Sequence, residues 1–400
     1  MDRSARRPAR TRLARPMAAR SIREEHRVST PLELLFDLTF AVAVSRAAGE
    51  LAHALAAGGL GDAVPHYLMV FFGIWWAWMN FTWFASAYDV DDVPYRLLTL
   101  VQMAGVLVLA TGVPAAFEHD DFGAVTAGYV IMRLAMVAQW LRASGADAQR
   151  RGTAVRFAVG VGAVQLGWVL RLSLPHRVGL AALPLLVIAE LLVPVWAERR
   201  GGGTTWHPHH IAERYGLFTI IVLGECVLAV TAAVAPQAGG RLLHADLVLV
   251  AAGGLVLLFT LWWIYFLEPA GTLLDSRRDR GFVWGYGHFG IFAALAALGA
   301  ALEVAAERAQ HHVVVADAGI ELAVAVPVAA FLVLVWALHA PASAHPRRDG
   351  AIAAGAALAT LAVTGLVAAG LPLPWAVPLT ALPPVVLAAL AVLTGPGDGP

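Results

Sequence analysis

Glu33 and Asp37 stand four residues apart in "PLELLFDLTFAVAVSRAAGELAHAL", residues 31–55, a stretch otherwise apolar enough for lipid. On a helix that spacing puts both acids on one face, about 40° apart. Neighbouring carboxylates repel, and no basic residue on that face relieves them. One of them must then hold a proton or meet a cation. Arg46, Glu50 and His53 fall on the opposite side of the same wheel, with Arg46 and Glu50 spaced for a direct ion pair. This second cluster reads as structural, a neutralised pair that holds the helix among its neighbours.

Glu225 lies twelve residues after Glu213, about 18 Å along a helix, and so deep within its apolar run. Gly224 before it would let another helix approach closely. The bland alternative is a salt bridge from Glu225 to Arg133, the lone arginine midway along another run. Upstream, "TTWHPHHIAER" carries His207, His209 and His210. His209 and His210 precede Glu213 by four and three residues, so on a helix either could share a metal with it. Two ligands make a poor site, and a third would have to come from Asp37 or His288. No metal is therefore assigned, with His209, His210 and Glu213 as the residues that would hold one.

His288, in "WGYGHFGIF", completes the ion-handling set: Asp37, Glu225, Glu213, His288, Glu33 and Arg133. No catalytic residue and no cofactor is assigned. The glycines are too scattered for a phosphate loop, and nothing resembles a Ser-His-Asp elbow. The single cysteine, Cys226, excludes an internal disulfide and reads as a buried inert thiol.

Such groups need elements that hold them in an apolar medium, and the composition says which. Of 400 residues, 59% are hydrophobic and 14% charged, with a mean hydropathy of +0.69. Apolar runs of about 20 residues, enough to cross the hydrocarbon of a bilayer, recur from end to end. The fold class is an all-α polytopic membrane protein. Expected spans are 32–55, 65–87, 95–116, 122–142, 154–174, 179–198, 211–235, 245–267, 284–305, 318–340, 351–371 and 375–395. The aromatic runs "WWAWMNFTWF" and "WWIYF" fit an interfacial belt, with an aromatic-lined substrate cavity as the sharper alternative.

All 28 basic side chains are arginine, and they sort by side. With the N-terminus in the cytoplasm, inner segments hold 22 arginines and outer segments four, Arg46 and Arg133 being inside spans. The positive-inside rule thus predicts twelve spans with N- and C-termini cytoplasmic. Residues 1–27 hold nine arginines and no apolar run. They read as a disordered basic cytoplasmic tail, with no signal peptide.

The chain also resembles itself. Setting Glu33 against Glu213 aligns Thr39 with Thr219 and brings Trp75–Trp76 to the place of Trp262–Trp263, each pair followed by an acidic turn. Six spans per half would give a parallel repeat about an axis along the membrane normal. The halves are 28–200 and 201–400, joined at the "GGG" of 201–203.

Three motifs resemble the bacterial low-temperature-requirement A family. "TPLELLFDLTFAVAV" is similar to its opening signature, "HIAERYGLFTIIVLGE" to its central one and "YGHFGIFAALAALGAALE" to its third. The resemblance covers most of 28–340 and implies a multi-pass membrane protein linked to growth in the cold, without implying a substrate. One departure stands out. The family's central signature often carries histidine where this chain has Tyr215, so no mechanism here can use an imidazole at that position.

The leading functional reading is a secondary transporter or ion-coupled permease with intramembrane acids as proton or cation sites, in a bacterial cytoplasmic membrane. Alternatives are an intramembrane enzyme acting on a lipid or hydrophobic metabolite, and a non-catalytic organiser or sensor. The expected partners are membrane lipids and a small-molecule or ion substrate, not nucleic acid.

Overall fold

The first long helix starts where local chemistry tells it to. Thr30 and Glu33 form a capping box: the Glu33 amide donates to Thr30 Oγ1 at 3.3 Å, and the Thr30 amide donates to Glu33 Oε2 at 2.7 Å. Pro31 takes the first helical position, where its missing N–H costs nothing. Asp92 does the same for the third helix, its Oδ1 accepting the amide of Tyr95 at 2.9 Å.

In this computed structural model the described residues are 13–24, 27–199, 203–234, 245–310, 313, 315–343 and 345–394. Among them the helices are α1 (Pro31–Ala56), α2 (Leu60–Tyr88), α3 (Val93–Thr111), the short α4 (Val113–His119), α5 (Gly123–Ala146), α6 (Arg151–Arg171) and α7 (His176–Glu198). There follow α8 (Pro208–Val234), α9 (Ala245–Phe266), the short α10 (Ala270–Ser276), α11 (Gly281–Ala309), α12 (Asp317–His339), α13 (Pro346–Ala368) and α14 (Leu373–Thr394). No strand occurs among the described residues. Each of the twelve expected spans falls on one of the twelve long helices. Eleven are long and apolar enough to cross a membrane; α1, with its four charged side chains, is the exception.

Apolar side chains also cover the outside. Leu97, Leu134, Val159, Leu185, Leu228 and Leu358 are all exposed. In water such a surface would aggregate; in a bilayer it is what lipid requires.

The chain divides into two compact units. The first comprises residues 1–39, 77–112 and 122–207. Here α3 and α5 run against each other with backbones in contact, because Gly105, Gly112 and Gly128 leave no side chain between them. A Cβ on Gly128 would lie 2.3 Å from the Leu109 nitrogen and 2.4 Å from the Gly105 carbonyl oxygen. α6 packs on α5, and α7 on α6. Trp140 of α5 stacks on Phe157 of α6 at 4.1 Å between ring centroids.

Residues 13–24 belong to the stretch expected to be a disordered tail, yet they make defined contacts. Met17 is buried, the Arg20 amide donates to the Ala87 carbonyl at 2.8 Å, and the Arg15 amide donates to Asp92 at 2.8 Å. Bonds to the last turn of α2 and to the Asp92 side chain hold them there; residues 1–12, 25 and 26 lie outside the described residues.

The second unit comprises residues 40–76, 113–121 and 208–400. α11 is its most enclosed helix, with α8, α9 and α12 packed on it. Gly299 of α11 admits Cys226 of α8, whose thiol lies 3.2 Å from the Leu295 carbonyl oxygen. α14 packs on α9 at Gly253, where a Cβ would meet the nitrogen of Pro378 at 2.7 Å. The first part of α2 adds an aromatic cluster, with Trp75 5.2 Å from Phe289 and Trp76 5.4 Å from Tyr286 between centroids. Trp75 and Trp76 are fully buried, which overturns the interfacial-belt reading for them, whereas Trp262 and Trp263 are exposed.

Candidate functional site

Asp37 comes from the second turn of α1 and is completely buried. The indole N–H of Trp78 donates to its Oδ1 at 2.7 Å. Glu33, one turn earlier, is also completely buried, with its carboxylate within 3.6 Å of the Arg27 guanidinium. The relief that α1 itself could not offer its acids therefore comes from the segment before it. Arg27 also stands 3.6 Å from Asp89, and Arg20 3.4 Å from the same carboxylate. Asp89, just past the end of α2, feels burial first and the negative charge of Glu33 second. Together these outweigh the two arginines and push its carboxyl up to about 6. The cluster at the start of α1 is thus a chain of alternating charges: Arg20, Asp89, Arg27, Glu33.

The deepest charge pair of the first unit is one that sequence reasoning missed. Arg133 of α5 donates through Nη2 to Glu190 Oε2 of α7 at 3.0 Å. The other oxygen, Oε1, accepts from Tyr129 at 2.8 Å, from Gln165 at 2.9 Å and from Trp168 at 3.3 Å. Glu190 and Arg133 are both buried. Two helices, α5 and α6, therefore aim four donors at one buried carboxylate of a third. Arg133 is engaged by Glu190, so the alternative that paired it with Glu225 does not hold. A signal was present: in the expected spans 122–142 and 179–198, Arg133 and Glu190 lie nine and eight residues from the inner ends. That puts both about 12–14 Å deep.

Glu225 is half-buried on α8, and no ion pair involves it among the described residues. Gly224 beside it is exposed, and a Cβ there would touch nothing within 4 Å. The close helix approach expected at Gly224 is therefore not made; the close approaches fall at Gly128 and Gly253.

In the second unit, His288 is fully buried on α11. Its Nδ1 lies 2.8 Å from the Trp284 carbonyl oxygen, one turn back, and its Nε2 3.0 Å from the Tyr265 hydroxyl. A carbonyl only accepts, so Nδ1 carries a hydrogen; in the neutral ring Nε2 then accepts from Tyr265. The Tyr215 ring meets His288 edge-on, with centroids 4.8 Å apart. Glu213, two residues before Tyr215 on α8, is half-buried; His210 is buried and His209 exposed. Among the described residues no three histidine, cysteine or acidic side chains are grouped to hold a metal. Arg46 stands 3.5 Å from Glu50, and His53 stands 3.7 Å from it on the other side.

Against known proteins, a family model described as "Bacterial low temperature requirement A protein (LtrA)" matches residues 28–392. The chain belongs to this family. The match runs beyond the three signatures and takes in the C-terminal helices α13 and α14. A protein of Rhizobium meliloti (strain 1021), described as "Uncharacterized protein RA0937", is 26% identical over 274 residues, covering 65% of each chain. The chain thus spans just under two thirds of that relative's length. No solved structure matches. In this low-temperature-requirement A protein, Tyr215 stands where the family's signature often has histidine. The structure puts its ring directly against His288.

Proposed function

We propose that this protein is a secondary transporter, an ion-coupled permease of the bacterial cytoplasmic membrane whose coupling acid is Asp37. The observation that carries the reading is the burial of Asp37 against the indole N–H of Trp78. A carboxyl inside the helices of a membrane protein is costly, and such groups mark proton and ion paths. Trp78 supplies one of the contacts that position this carboxyl within the helices. Glu225, half-buried on a separate helix, is the second exchange group. Glu33, Glu213, His288 and Arg133 are the further ion-handling groups of this reading. The arginine distribution supports cytoplasmic termini, and the aligned motifs support two six-helix repeats in parallel. Membrane lipids and a small-molecule or ion substrate are the partners.

The test is flux. Purified protein in liposomes, under imposed proton or alkali-cation gradients, should move protons in a protein-dependent way, and Asp37→Asn should lower the rate at least tenfold. Equal rates in the two proteins would remove Asp37 from the mechanism. No flux in the wild type under either gradient would count against the permease.

A further inference from the structure

Glu321 lies at the second turn of α12 and is fully buried, with the Thr380 hydroxyl of α14 donating to its Oε1. Its other oxygen, Oε2, is equally enclosed and accepts no hydrogen bond. Glu321 forms no ion pair among the described residues. The ionisable side chains on the helices around it do not supply a cation. Arg308 of α11 is taken by Asp317, 2.8 Å away. Arg347, Arg348 and Asp349 begin α13, an end that packs beside Trp336, since a Cβ on Gly350 would lie 2.5 Å from that ring. That is the opposite end of α12, as is His339, about 27 Å along the helix from Glu321. His288 of α11 is bonded to Tyr265 of α9, while Glu303, Glu307 and Asp246 are themselves acids.

An ionised carboxylate with one oxygen bare and no cation in reach is a poor occupant of such a place. A carboxylic acid is a good one, because the bare oxygen becomes a hydroxyl that needs an acceptor instead of a donor. Prolines in both helices leave backbone carbonyls without a helical donor. Pro383 and Pro384 lack amide hydrogens, so the carbonyls of Leu379 and Thr380 lose their helical donors; Pro327 does the same for Ala323 of α12.

We propose that Glu321, with Thr380, is a proton-binding site: its carboxyl carries a proton in this conformation and releases it to water when α12 and α14 part. Occupancy stands on this geometry alone; coupling of release to transport rests on the permease reading.

Infrared spectroscopy of the full-length protein in lipid bilayers tests it at neutral pH. A carboxylic-acid carbonyl band should appear in the wild type and be lost in Glu321→Gln. Thr380→Val should keep the band but shift its frequency, because one hydrogen bond is gone. Glutamine reproduces the shape and neutrality of the protonated acid, so the variant should fold and melt as the wild type does. If it does not fold, the aspartate variant should still show the band, displaced. Absence of any band that depends on Glu321 overturns the proposal. Proton flux on the same vesicles separates the two ideas: band without flux sustains the site and sinks the permease, whereas flux without the band sinks the site alone.

Discussion

Arg133 and Glu190 meet at 3.0 Å across α5 and α7, both buried, with Tyr129, Gln165 and Trp168 completing the carboxylate's shell. Glu321 is the counterpart in the second unit, a buried acid with one hydroxyl donor and no cation partner among the described residues. Similar burial thus meets opposite chemistry. One acid meets a guanidinium and three neutral donors, the other a single hydroxyl.

Breaking the Arg133–Glu190 pair from one side should be expensive. Arg133→Met leaves a buried anion with three neutral donors and should destabilise the protein by about 3–5 kcal/mol. The double variant Arg133→Met/Glu190→Leu removes both charges and should recover most of that loss. Unfolding measured in bicelles for the wild type, each single variant and the double variant gives the coupling energy. A double variant as unstable as the sum of its parts would show that the two charges do not depend on one another.

How much of this is legible in the sequence varies with the range of the interaction. Helix number and type follow from apolar runs, because a bilayer imposes length and hydropathy locally. The Arg46–Glu50 pair follows from spacing within one helix. Glu190 does not, because its partners Tyr129, Arg133, Gln165 and Trp168 come from two other helices. Trp75–Trp76 and Trp262–Trp263 look alike in sequence, yet one pair is buried and the other exposed. The difference lies in neighbours such as Tyr286 and Phe289, which no local pattern announces. A wheel drawn on α1 shows Glu33 as a repelled acid; its partner Arg27 sits before the helix, where that wheel does not reach.

Gly128 should tolerate nothing larger. Its missing side chain is what lets α5 lie against the α3 backbone, since a Cβ there would stand 2.3 Å from Leu109 N and 2.4 Å from Gly105 O. Rigid backbone on both sides cannot give way as a flexible side chain would. Gly128→Val should cost about 3 kcal/mol or more, seen as a loss of monodisperse folded protein. Gly224→Val, where a Cβ touches nothing within 4 Å, should behave as the wild type in the same assay.

The Asp89 carboxyl gives a pH dependence with a definite sign. Burial and the charge of Glu33 raise it from 3.8 to about 6 despite Arg27 and Arg20. The folded protein therefore binds more protons than the unfolded chain between those values. Its contribution to stability is full below 3.8 and is lost as pH rises through about 6. The size is at most about 3 kcal/mol. Asp89→Asn, compared with the wild type by thermal unfolding from pH 4 to 8, should flatten the slope between 4 and 6 and leave the curves parallel above 7. A slope of the opposite sign would mean that the arginines win over burial.

Trp78 is where the permease reading can be separated from simple packing. Its indole donates to Asp37 at 2.7 Å, and both residues are completely buried. Trp78→Phe keeps an aromatic ring there and removes the N–H, which should cost about 1–3 kcal/mol through the loss of one hydrogen bond to a buried carboxylate. If Asp37 exchanges protons, losing that donor should change the pH at which flux is half-maximal. In an Asp37→Asn background the same substitution should leave the residual flux and its pH profile unchanged, since no titrating carboxyl remains at that position. A pH profile that shifts equally in both backgrounds would place the titrating group elsewhere and reduce the Trp78–Asp37 contact to a structural bond.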